Sequence, residues 1–210
     1  FGNGNLAVLQ HADHSRSYYY HMRKASVATR RTNVSTADVI GLSGNTGRSF
    51  GGHLHLGLSG RNGGYLNPLD RLPPIRDGIK PEVASIMFLC EGRVLTIPDK
   101  YRVTGIDSFR LLARLWDSQE DIRKLNTTGI RKAVFFIDDQ PVRTVEFGQL
   151  LEKGGRLALV DGTRFEDTYS PSGYLIGGDY RNLVGLHRIK VQAEDFRGNT
   201  ASRTVEVHFK

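Results

Sequence analysis

Short apolar runs, alternating or rich in β-branched and aromatic residues and each closed by Gly, Asn, Asp, Ser or Pro, recur along the whole chain. NLAVLQH, SYYYHM, DVIGLSG and HLHLGL have this form in the front third. VASIMFLC, RVLTI, FRLLARLWD, AVFFID, VRTVEF, HRIKVQAED and RTVEVHF have it further on. A strand repeats its faces every two residues, whereas a helix needs about 10–12 residues of 3.6-residue periodicity to bury a stripe. None of these runs shows that longer period, so the chain reads as all-β. In FRLLARLW, Phe109, Leu111, Ala113 and Leu115 share one face and Arg110 and Arg114 the other, as in a strand with one side on a core. One segment departs from the pattern. FGQLLEKGG reads as a short helix stopped by Gly154 and Gly155, and the stretch from Leu159 to Tyr180 as a long connection.

The stretch NPLDRLPPIRDGIKPE concentrates Asn67, Pro68, Pro73, Pro74, Gly78 and Pro81, which marks a boundary. Residues 1–73 are expected to form a compact, turn-rich β-domain, 74–81 a linker, and 82–210 an antiparallel sandwich of about seven strands. No apolar run approaches the roughly 20 residues that cross a bilayer, so a transmembrane protein is not expected. The opening FGNGNLAVLQH reads as the interior of a β-domain, and the chain is expected to start downstream of its natural beginning.

The net charge of +7 is unevenly spread. Residues 1–75 carry 8 Lys and Arg against 3 Asp and Glu, and the remainder 21 against 19. A basic front favours an anionic partner: nucleic acid, a membrane surface or a cell-wall polymer. Nucleic acid is not expected, because no aromatic-and-basic RNA motif or helix-turn-helix pattern is present. The single cysteine, Cys90, excludes an internal disulfide and a cysteine zinc cage, and reads as a small buried hydrophobe.

The residues richest in chemistry lie in GNTGRSFGGHLHLGL, residues 44–58. On a strand, His53 and His55 share a face about 7 Å apart, with Leu54 and Leu56 turned into apolar packing. Two imidazoles so placed can share a site, one binding a metal and the other handling protons. Taken alone, an H-x-H pair is more often packed or on the surface. Upstream, SYYYHM puts Tyr19 and His21 on one face and Tyr18 and Tyr20 on the other.

Four motifs occur in order: Tyr19-Tyr20-His21, then Ile40-Gly41 with Gly44, Thr46 and Gly47, then His53-Leu54-His55, then Asn67-Pro68. Over about residues 1–72 this order resembles the lysostaphin-type (LytM-type) zinc metallopeptidases, which hydrolyse peptide bonds in peptidoglycan cross-links. The resemblance implies a zinc cofactor with His55 as a metal ligand. It implies catalytic roles for His53, at the attacking water, and for His21, at the tetrahedral intermediate. Tyr19 is a candidate for lining the substrate groove, and a peptidoglycan peptide is the implied partner. A zinc with three protein ligands keeps a position open for water and lowers its pKa toward about 7. The family's other two ligands come from a His-x-x-x-Asp motif, which these 210 residues do not contain. One imidazole cannot close such a site, so this chain by itself is expected neither to hold zinc tightly nor to cleave peptides. Arg31 and Ala37 stand where the family usually has glycine, and Arg31 would be uncomfortable if its turn needs positive φ.

The phrase AEDFRGN, residues 193–199, is similar to the last hairpin of many bacterial immunoglobulin-like domains. The expected architecture is therefore a partial lysostaphin-type β-domain followed by an immunoglobulin-like antiparallel β-sandwich. That pairing implies an exported protein, periplasmic or in the cell envelope. Asp117 and Asp195 read as turn caps, with a calcium site the lesser alternative. His11 and His14 read as surface or supporting groups, and His187 and His208 as structural. Two functions compete. The longer parent protein is a zinc endopeptidase of the wall, or it is a non-catalytic relative that binds the wall or regulates amidases. A purely structural adhesion protein leaves the histidine spacing unexplained.

Overall fold

A computed structural model describes residues 2–74, 76–118 and 128–210; Ile75, within the expected linker, lies outside the described residues. The architecture is all-β, in several sheets, with two single-turn 3-10 segments among the described residues. Backbone contacts divide the chain into two compact units, Phe1–Leu72 and Pro73–Lys210.

The first unit is an antiparallel meander of β1 (Asn5–Gln10), β2 (Arg16–Met22), β3 (His55–Ser59) and the two-residue β4 (Tyr65–Leu66). Residues 23–54 form a long loop between β2 and β3. DVIGLSG, expected as a strand, lies within that loop and makes only isolated bridges, Met22 to Ser43 and Gly44 to His53. Its glycines explain why. A Cβ on Gly41 would stand 2.4 Å from the Met22 side chain, and one on Gly44 would stand 2.5 Å from the backbone of Arg23. The segment is pressed against its neighbours by bare backbone, leaving no room for a pleated ladder. The strained backbone in this loop falls at Ala25 and Ala37, with φ of 58° and 72°, whereas Arg31 has no positive φ and pairs with Asp38 at 3.0 Å.

The second unit has eleven strands among the described residues: β5 (Glu82–Cys90), β6 (Arg93–Thr96), β7 (Lys100–Val103), β8 (Ser108–Trp116), β9 (Lys132–Ile137), β10 (Gln140–Glu146), β11 (Gln149–Lys153), β12 (Arg156–Leu159), β13 (Leu175–Arg181), β14 (Gly185–Glu194) and β15 (Thr200–Phe209). One sheet runs β10-β9-β14-β15-β7, with β7 parallel to β15; the other runs β13-β8-β5-β6. A single core gathers side chains from both sheets, including Ile86, Phe88 and Leu111 from one and Phe135, Val191 and Val207 from the other. Leu112, Met87 and Ile176 form a smaller cluster, so both faces of β8 carry buried side chains. Cys90 packs against the main core, and burial pushes its thiol pKa up.

Two expectations fail here. FGQLLEKGG is not helical: Gln149–Lys153 pairs with Arg156–Leu159 as a hairpin. Gly154 and Gly155, read as a helix stop, have φ of 57° and 75° and form the two-residue turn between these strands. Paired positive φ suits a hairpin whose twist matches its strands. The supposed connection from Leu159 to Tyr180 contains the 3-10 turn Phe165–Asp167 and most of β13. Its Gly177 and Gly178 hide the strand's alternation. They are there because a Cβ on Gly177 would stand 2.5 Å from the Phe135 ring.

Candidate functional site

His21 ends the regular part of β2 with φ of 59°, a left-handed conformation in a non-glycine residue. The rotation breaks the strand's alternation and turns the imidazole toward β3. The expected face assignment therefore changes. Tyr20 pairs directly with His55, with their rings 4.8 Å apart, and His21 joins the same cleft. The ring centroids of His21 lie 4.9 Å from His53 and 5.7 Å from His55. Tyr19 is not brought to this cluster. It pairs with Leu56 on the other face, and its hydroxyl accepts from Ser17, whose Oγ meets His11 Nε2 at 2.9 Å.

Thr46 holds His21 in place. Its carbonyl accepts from His21 Nδ1 at 2.9 Å, and its hydroxyl donates to the Met22 carbonyl at 2.7 Å while accepting from the Asn5 amide at 2.9 Å. The His21 amide donates to the Asn3 carbonyl. A carbonyl only accepts, so Nδ1 of His21 carries a proton. His53 is fixed in the same sense, with Nδ1 3.0 Å from the Gly51 carbonyl and 3.2 Å from Ser49 Oγ. Both rings are thus oriented through Nδ1 by backbone carbonyls. His21 is buried, whereas His53 and His55 are exposed.

Although the His55 side chain is exposed overall, its partial desolvation in the cleft, with the neighbouring His21 and His53, lowers its pKa below the ordinary 6.5. A basic group with a depressed pKa favours the fold in its neutral form. Its contribution is complete above about pH 6.5 and disappears as the pH falls through the lowered midpoint. An NMR titration of the His55 ring should accordingly give a midpoint below 6.5, and one at or above it would contradict this packing.

The sequence did not single out Tyr20 as part of the cleft. It stacks on Tyr18 at 6.0 Å, and burial raises its phenol pKa, keeping the hydroxyl a donor. Gly57, opposite Tyr18, makes room: a Cβ there would stand 3.2 Å from the Tyr20 ring. The signal available was a bare glycine across from three consecutive tyrosines. Leu54, expected in apolar packing, is 51% exposed because β3 begins only at His55; Phe50 in the same loop is 97% exposed. Exposed apolar side chains beside convergent polar groups are typical of a binding surface. A second cleft of this unit, near 570 Å³ and lined by His11, Arg16, Arg61 and Arg71, lies at the far end of the β2–β3 ladder.

The donor set does not close a zinc site. Among the described residues, the only group of three His, Cys, Asp or Glu side chains with donor atoms mutually within 4.8 Å is Asp77, Asp117 and Asp195, in the second unit. His21, His53 and His55 do not meet that condition, and three ligands near 2.0–2.1 Å from one ion require it. In the second unit, His187 is held by Asp138 at 2.7 Å.

Residues 1–68 match the model of Peptidase family M23, and residues 80–210 match a second model that carries no functional description. The chain is 38% identical over 92 residues to the Peptidoglycan DD-endopeptidase ShyA of Vibrio cholerae, covering 44% of this chain and 21% of that protein. It is also 38% identical over 79 residues to an uncharacterized metalloprotease of Haemophilus influenzae, covering 37% of this chain and 16% of that protein. The matches therefore span about a fifth or less of these relatives. Fibronectin(III)-like modules of Clostridium thermocellum CbhA align over 98% of this chain and 94% of theirs, with 11% identity and a TM-score of 0.34. No helix among the described residues is long and apolar enough to cross a membrane. The front third of the chain has a distant, partial relationship to the M23 peptidases, of the endopeptidase kind.

Proposed function

We propose that this chain is a non-catalytic, wall-binding relative of the M23 peptidases, whose first unit holds a peptide of peptidoglycan in the cleft of His21, His53, His55 and Tyr20. The observation that carries this reading is the convergence of three imidazoles without, among the described residues, the further donors that a metal centre needs. The polar ring edges of His21 and His53 and the Tyr20 hydroxyl suit the hydrogen-bonding groups of a peptide backbone. Phe50 and Leu54, exposed in the segment that leads into β3, add apolar surface to this unit. The basic excess of residues 1–75 suits an anionic wall. In this proposal the first unit is the back part of a lysostaphin-type domain and the second an immunoglobulin-like sandwich. The location is exported, periplasmic or in the cell envelope.

One observation favours a second reading for a longer parent protein. Residues 1–68, which match the model of Peptidase family M23, include the H-x-H pair. In that reading His55 is a zinc ligand, and His21 and His53 are catalytic once the remaining ligands are supplied. The two readings separate in one preparation. The 210-residue chain is incubated with zinc, dialysed, analysed for metal and given cross-linked muropeptides. Well under one zinc per chain, with the muropeptides intact, is expected. One zinc per chain together with released fragments would overturn the binding-only reading.

A further inference from the structure

We propose that the second unit carries a calcium site formed by Asp77, Asp117 and Asp195. The three come from separate places in the sequence: the entry to the unit, the residue after β8, and the turn between β14 and β15. One carboxylate oxygen from each lies within 4.8 Å of the other two. Oxygens bound to a single calcium at about 2.3–2.6 Å lie no more than about 5 Å apart, so the spacing fits one ion.

Asp195 is fully buried and Asp117 is 3% exposed. Among the described residues, no lysine or arginine forms an ion pair with any of the three. Turn capping accounts for Asp195. Its Oδ1 accepts the amides of Arg197 and Asn199, and its Oδ2 accepts Asn199 Nδ2. Asp77 Oδ1 likewise accepts the Ile79 amide. Capping does not account for Asp117. Its Oδ2 accepts from Thr128 Oγ1 at 3.2 Å, but its Oδ1 is buried and has no hydrogen-bond partner among the described residues. A buried carboxylate oxygen left bare beside two further carboxylates is costly unless it takes up a proton or a cation joins it.

The chemistry of the donors selects the ion. All three are hard oxygens, which excludes a preference for soft-ligand metals. Magnesium keeps several waters and demands an octahedron, which suits a buried cluster poorly; calcium accepts irregular carboxylate and carbonyl sets. A bound calcium ties the entry segment to the end of β8 and the last hairpin. Asn199 already begins that tie by donating to the Asp77 carbonyl at 3.2 Å.

The 210-residue chain, stripped with EGTA, is titrated with calcium chloride by calorimetry and melted with and without the ion. One calcium per chain is expected, with the unit's melting temperature raised by about 5–10 °C at a hundredfold excess over Kd. Asp117→Asn and the less buried Asp77→Asn should each weaken binding at least tenfold. Asp77→Asn keeps the test valid if Asp117→Asn folds poorly. Absence of calcium heat and of any melting shift overturns the proposal, as does a shift that both variants retain.

Discussion

Phe88→Ala should remove about 3–5 kcal/mol from the stability of the second unit, the largest single loss expected in this chain. Phe88 is fully buried on β5, with its ring 3.9 Å from Phe109 and 6.0 Å from Phe209. Phe109 and Phe209 are themselves 5.5 Å apart, so the three rings form one stack joining β5, β8 and β15. Those strands belong to both sheets of the unit, and a cavity here cannot be closed by one sheet moving. A domain of ordinary stability has about 5–15 kcal/mol in total, so the variant should stand near its unfolding threshold. The sole tryptophan, Trp116, ends β8 and makes fluorescence a reporter of this unit. Denaturant melts followed at Trp116 should show the loss, and Phe88→Leu should recover more than half of it. A loss under about 1 kcal/mol would mean the stack is not central to the core.

Gly47→Ala should cost the first unit about 2–4 kcal/mol and displace the His21 ring as well. Gly47 has φ of 74°, and a Cβ there would stand 2.3 Å from the Gly4 amide nitrogen and 2.7 Å from the Gly2 carbonyl oxygen. These obstacles are backbone, so no side chain can swing aside. The neighbouring residue is Thr46, whose carbonyl fixes His21 and whose hydroxyl joins Asn5 to Met22. Forcing the turn apart therefore perturbs the cleft directly. Ring NMR signals of His21 should move while those of His187, in the other unit, stay fixed. Unchanged His21 signals in a folded Gly47→Ala protein would contradict Thr46 as its anchor.

Much of the all-β character was legible because strands such as β14 alternate over ten residues. The misread segments share a cause. In β11–β12 and in DVIGLSG, glycine acts through positive φ or a close approach of two chains, and such roles depend on a partner remote in sequence. Gly154-Gly155 is a turn only because Lys153 pairs with Arg156. The clustering of His21, His53 and His55 was suggested by motif order alone. That Tyr20 rather than Tyr19 faces the cleft was not legible, because it follows from a backbone twist at His21 which period-two reasoning does not anticipate. The third aspartate, Asp77, was hidden for a simpler reason: it sits in a proline-rich stretch with no strand pattern to place it.

The most direct test concerns what the imidazole cleft binds. The intact chain, labelled in its histidine rings, is titrated with a soluble peptidoglycan stem peptide and followed by NMR. Signals of His21, His53 and His55 should shift together and saturate, with His187 and His208 unmoved, and Tyr20→Ala should weaken the binding severalfold. Shifts confined to other histidines, or no response at saturating peptide, would contradict the assignment of this cleft as the binding site.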